Sequence, residues 1–178
     1  MVNDITYGRD AEVWPRDYSL LSRRLQFLRF NDVRVKMVSC NGLSIIGYVA
    51  KFYPEENIIY ASSRPKGTKR IKISMEYIAS LEELPADSDV KSHLIEPEQF
   101  NSSVTKPTRR DFFSICNKCY QQGVGVRVYM SDGRIIEGGT TGVNACQVGI
   151  IRPNGNHMQI MFDWVERITS SDFYEKVN

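Results

Sequence analysis

The stretch VRVKMVSCNGLSIIGYV, Val33–Val49, returns further along the chain as VGVRVYMSDGRIIEGGT, Val124–Thr140. Each places alternating apolar residues before an Asn-Gly or Asp-Gly dipeptide and a second glycine five residues after the first. Alternation with a period of two is the mark of a strand with one buried face, and Asn-Gly or Asp-Gly between two such runs is a hairpin signal. Aligning Asn41-Gly42 on Asp132-Gly133 sets an offset of 91 residues, which also pairs Val33 with Val124, Val35 with Val126, Met37 with Val128, Gly47 with Gly138 and Ile59 with Ile150.

Carried backward, the same offset sets Leu21, Leu25 and Leu28 opposite Phe112, Cys116 and Cys119, a helix-spaced apolar stripe in both copies. Carried forward, it falls to 87 and pairs Ile71 with Met158, Ile73 with Ile160, Ile78 with Val165 and Leu81 with Ile168. The four-residue difference fits a longer loop in the first copy, ASSRPKGTKR against RPNGNH. The pattern is that of a tandem duplication, each copy one helix followed by five short strands. Asp17 is the expected cap of the first helix, and Asp111 or Thr108 that of the second. Gly47 and Gly138, inside strands, mark a bend or a close backbone approach, so each short sheet is expected to curl toward a barrel.

These readings divide the 178 residues into an N-terminal extension (1–17), a first domain (18–84), a linker (85–107) and a second domain with a short C-terminal tail (108–178). The linker region, PADSDVKSHLIEPEQFNSSVTKPT, is rich in Pro, Ser and acidic residues and follows neither period. The first residues carry no apolar signal-like core, and no run approaches the roughly 20 apolar residues of a membrane span. A cytoplasmic protein with no membrane partner is therefore expected.

Net charge is only +2, but residues 20–84 hold 11 Lys or Arg against 6 Asp or Glu. The first copy is thus the better candidate for holding a polyanion. Its densest signal is RPKGTKRIK, where Arg64, Lys66, Lys69, Arg70 and Lys72 could track a phosphate backbone. Phe52, Tyr53 and Tyr77 are the aromatics placed to stack on bases nearby. Trp164, which aligns with Tyr77, reads as core. Cys116-x-x-Cys119 has no second ligand pair and falls on the apolar face of a helix, so packing explains it better than a metal. His93 and His157 have no nucleophile near them in sequence, and no glycine-rich phosphate loop is present. Neither an enzyme nor a cofactor or metal is expected.

The helix, the five strands and the V-x-V-x-h-x-x-x-[ND]-G-x-x-x-x-G frame resemble the Sm-like fold, in particular bacterial Hfq-type RNA chaperones. The resemblance covers about residues 18–84 and 108–169 and implies two tandem Sm-like domains, each a helix plus a five-stranded, strongly bent barrel. It implies a post-transcriptional regulator that binds single-stranded RNA on an oligomeric ring, with three chains giving six units. A heterologous contact between sheet edges must close in that way or run on as a fibre. Arg29, at the end of the first helix, keeps part of the family's arginine-rich patch, with Arg23 and Arg24 earlier on it. The family's Tyr-Lys-His run does not recur; Ser74, Met75 and Glu76, and Met161, Phe162 and Asp163, stand in its place. A protein-interaction scaffold of the same fold, without nucleotide binding, is the alternative.

Overall fold

A computed structural model describes residues 5–10 and 16–171. In chain order these form β1 (Ile5–Thr6), β2 (Arg9–Asp10), α1 (Ser19–Phe30), β3 (Arg34–Ser39), β4 (Ser44–Tyr53), β5 (Ile58–Ser62), β6 (Arg70–Ser74), β7 (Ile78–Glu83), α2 (Pro97–Asn101), β8 (Arg110–Asp111), α3 (Phe113–Gln121), β9 (Val126–Met130), β10 (Ile135–Val143), β11 (Gln147–Ile151), β12 (His157–Met161) and β13 (Val165–Ser170). The chain is mainly β, its strand pairs are antiparallel, and it falls into two compact units. One unit is residues 18–106; the other is the residues from 107 onward together with those before 18.

In the unit of residues 18–106, α1 buries Leu21, Leu25 and Leu28. The stripe seals one side of a sheet whose order is β7-β3-β4-β5-β6. Inward-facing Val35, Met37, Ile45, Val49, Ile59 and Ile73 complete the core. The second unit repeats this plan: Phe112, Cys116 and Cys119 are buried on and beside α3, and the sheet order is β13-β9-β10-β11-β12.

The two quoted hairpins close in the same way. Gly42 and Gly133 take φ of +84° and +93°, and their N–H groups donate to the carbonyls of Ser39 and Met130 at 3.0 and 3.1 Å. Asn41 and Asp132 keep negative φ; their side-chain oxygens instead accept the N–H groups of Leu43 and Arg134 at 3.2 and 3.0 Å. The dipeptide therefore works by an Asx turn followed by a left-handed glycine, over a connection longer than two residues.

Gly47 and Gly138 are close approaches, as expected. A Cβ on Gly47 would stand 2.5 Å from the Ser62 carbonyl oxygen, and one on Gly138 would meet the Ile151 carbonyl oxygen. Just beyond each, a bulge interrupts the ladder, between Val49 and Lys51 in β4 and between Thr140 and Gly142 in β10. Bulges bend and twist a strand, so both sheets curl. The curl stops short of the expected closed barrel: within the described residues no β6–β7 or β12–β13 pairing joins the ends. The barrel expectation is corrected: in each unit the five strands bend strongly without closing a barrel.

Residues 85–106, read from sequence as part of a linker, belong to the compact unit of residues 18–106. His93 forms a backbone bridge with Ile46, and Arg34 donates to the Val90 carbonyl. Pro97 starts α2, where a missing N–H costs nothing, and Phe100 is fully buried. Asn101 then caps the outer edge of β6: its amide donates to the Lys72 carbonyl and its oxygen accepts the Ser74 N–H, both at 3.2 Å.

Of the N-terminal extension, β1 pairs with β13 and β2 with β8. The C-terminal tail lies outside the described residues. α1 begins without a side-chain cap bond, whereas Asp111 Oδ1 accepts the Phe113 N–H at 2.8 Å at the start of α3. Thr108, the other expected cap, instead sits 3.0–3.2 Å from the carbonyls of Phe162, Asp163 and Val165.

Candidate nucleic-acid interface

The basic loop joins β5 to β6. The Gly67 N–H donates to the Arg64 carbonyl at 3.1 Å and the Ser62 hydroxyl donates to the same oxygen at 2.5 Å, with Pro65 and Lys66 at the tip. Lys66 adopts φ of +51°, a left-handed conformation that costs a residue with a Cβ free energy. Its ammonium lies 2.8 Å from Asp32 Oδ1, in a pair that is about half exposed on both sides and so worth under ~1 kcal/mol. Arg70 braces the loop through Nε to the Gly67 carbonyl at 2.8 Å. Ser62, Ser63, Arg64, Gly67, Thr68 and Lys69 line a cleft of about 390 Å³. Arg64, Lys69 and Lys72 are exposed and make no ion pair among the described residues.

Beside the loop, the outward face of β4, β5 and β6 carries a row set by register. Lys51 pairs with Tyr60, and Tyr60 with Lys72. Residues directly opposite in an antiparallel ladder share a face. Tyr53 belongs to the same face: its ring meets that of Tyr60 edge-on, with centroids 5.9 Å apart and planes at 89°, and Lys51 Nζ stands 5.2 Å from the Tyr53 ring. Further along the sheet, the Arg34 guanidinium lies 5.5 Å from the ring of Tyr48, its cross-strand partner.

The remaining residues named from sequence are dispersed. Phe52 pairs with the fully buried Ile59 and so faces the core side of the sheet, opposite Tyr53. Tyr77 ends the 3-10 turn Met75–Tyr77, where its carbonyl accepts the Cys40 N–H at 2.9 Å. Arg24 is committed to Glu83 through two hydrogen bonds of 2.5 Å and lies over Phe27. Arg29 donates to the Ala50 carbonyl at 2.9 Å, and Arg23 is exposed on α1. Lys51 and Tyr60 went unnamed in the sequence reading. The signal that finds them is the cross-strand row, which needs the register.

The second unit offers no matching row. There Gly142 pairs with Gly149 and Gly149 with Gln159, and Gln159 is tied to Gln147 at 2.9 Å. Asp163, expected to repel phosphate, is buried between Arg16 at 2.5 Å and Arg109 at 2.9 Å. Burial pushes its carboxyl above the ordinary range, against the opposing pull of those two guanidinium groups. Cys116 and Cys119 are fully buried on α3, and burial pushes the Cys116 thiol far up. Among the described residues no three His, Cys, Asp or Glu side chains gather into a metal site, and no helix is long and apolar enough to cross a membrane.

No solved structure matches the chain. The family model described as repressor of phase-1 flagellin matches residues 4–168. Proteins named repressor of phase 1 flagellin gene from Salmonella abony, Salmonella abortus-equi and Salmonella typhimurium (strain LT2) are each 60% identical over 174 residues, covering 98% of this chain and 97% of theirs. These matches overturn the resemblance to the Sm-like family and to Hfq-type RNA chaperones, and with it both functions inferred from that resemblance, the ring-forming chaperone and the Sm-fold scaffold. The physical reason is that the V-x-V…[ND]-G…G frame encodes an Asx turn, a left-handed glycine and a backbone close approach. Small, sharply bent antiparallel sheets of different ancestry use the same devices. This chain belongs to the repressor of phase-1 flagellin family.

Proposed function

We propose that this protein is a cytoplasmic, non-catalytic repressor of flagellin gene expression that acts by holding single-stranded RNA on the unit of residues 18–106. The relatives' name supplies the regulated gene. The observation that carries the mode of action is the β5–β6 loop, where Arg64 and Lys69 stand exposed with no ion-pair partner among the described residues, beside Lys66 and Arg70. A cluster of cations on a projecting loop binds phosphates and releases counterions.

Single-stranded RNA is favoured over duplex DNA by the elements available. The exposed cations stand beside the part-exposed rings of Tyr53 and Tyr60, and rings interleaved with cations suit unpaired bases, which can stack on them. Self-association is part of the proposal only through the outer edge of β6, which a second copy reaches by displacing Asn101. The test is a titration of the full chain against fragments of the flagellin transcript and against duplex DNA of the same sequence. Binding to unpaired RNA with weaker binding to the duplex supports the reading; preference for the duplex overturns it.

A further inference from the structure

We propose that the outward face of β4, β5 and β6 is a base-stacking platform, in which Tyr60 and Tyr53 take unpaired bases while Lys51 and Lys72 hold the flanking phosphates. The inference rests on the nucleic-acid reading above and assigns to it a second surface, chemically distinct from the loop.

Three observations carry it. The first is register: Lys51, Tyr60 and Lys72 lie side by side across three strands, placing a tyrosine between two ammonium groups. Strands are spaced about 4.8 Å apart, so the two lysines start from backbones about 10 Å apart and bracket a stacked base on both sides. The second is the edge-on meeting of Tyr53 and Tyr60 at 5.9 Å and 89°. With planes perpendicular, the two rings meet edge to face and do not stack on one another. Both rings are only half-buried, while Val49, Ile59 and Ile73 on the opposite face are sealed in the core. The third is charge: neither Lys51 nor Lys72 has an ion-pair partner among the described residues, and Lys51 is held over the Tyr53 ring. Cations interleaved with aromatic rings are the chemistry of single-strand binding, where stacking holds the base and ammonium groups follow the backbone.

The platform also explains the asymmetry between units. The corresponding row Gly142–Gly149–Gln159 has neither ring nor charge, so among the described residues the second unit does not repeat this platform. Because every base offers a π-face, the platform is tolerant of base identity. Because paired bases are stacked within their helix, it rejects duplexes.

The experiment is fluorescence anisotropy with the full chain and labelled 12-nucleotide oligouridylate and oligoadenylate, free and annealed to their complements. Variants are Tyr60→Ala, Tyr60→Phe, the exposed pair Lys51→Gln/Lys72→Gln, and the loop variant Arg64→Gln/Lys69→Gln. Tyr60→Ala is expected to raise Kd for both free strands by roughly 5- to 150-fold, with the salt dependence unchanged. Tyr60→Phe, which keeps the ring, stays within about twofold of the parent protein. The double lysine variant, which leaves the core untouched, lowers the slope of log affinity against log salt by about 1.4 and serves even if Tyr60→Ala fails to fold. If Kd is unmoved in Tyr60→Ala and in the double lysine variant while the loop variant loses binding, the platform is wrong and the nucleic-acid reading stands. If the parent chain binds no free strand, both fall together.

Discussion

Replacing Arg64, Lys66, Lys69 and Arg70 together by glutamine removes four of the five cations of the β5–β6 region and leaves Lys72 in place. For single strands each neutralised phosphate contributes about −0.7 to the slope of log affinity against log salt, so six contacts, Lys51 included, give about −4.2 and the two left in the variant about −1.4. Lys66 must first release Asp32, 2.8 Å away, which trims its share, and the expected change in slope is about 2 to 3. Between 50 and 200 mM salt the parent's affinity then falls roughly 200- to 300-fold and the variant's only about 7-fold. All four side chains are exposed, so each substitution should shift stability by only about 0.5 kcal/mol. The assay is anisotropy of a labelled flagellin-transcript fragment across a salt series, with urea denaturation as the folding control. Parallel slopes for parent and variant, with folding intact, refute the assignment of the loop to phosphate binding.

Asn101→Ala uncovers the Lys72 carbonyl and Ser74 N–H on the edge of β6, and concentration-dependent self-association should appear in sedimentation; an unchanged profile contradicts the capping role. Gly47→Ala drives a Cβ to 2.5 Å from the Ser62 carbonyl and should cost about 1–3 kcal/mol in urea denaturation, whereas an unmoved midpoint would show that β5 gives way freely. Cys116, buried on α3 with its thiol pushed far above the usual range, should resist iodoacetamide at pH 8 until denaturant is added; modification of the native protein at a free thiol's rate contradicts that burial.

The duplicated plan was legible because its signals are local. The stripe of Leu21, Leu25 and Leu28, the turn glycines Gly42 and Gly133, and the close approaches at Gly47 and Gly138 each depend on a few consecutive residues. The platform was not legible, because it depends on a bulge. Simple alternation from Tyr48 places Phe52 outward and Tyr53 inward; the extra residue between Val49 and Lys51 reverses both, bringing Lys51 and Tyr53 to the face of Tyr60. The packing of residues 85–106 was hidden for a related reason. Its anchors are His93 on Ile46, the single buried ring of Phe100 and the amide of Asn101, which follow no period. The pairing of β1 and β2 with strands 100 or more residues away leaves no local trace either. Family identity was misread because the repeated frame records how sharply a sheet bends, which unrelated small sheets share.

The most direct measurement is ultraviolet crosslinking of the full chain to a flagellin transcript, with crosslinked peptides located by mass spectrometry. Crosslinks should fall between Lys51 and Lys72, with Tyr53 or Tyr60 among the modified residues. Crosslinks confined to residues 107–171 would contradict it.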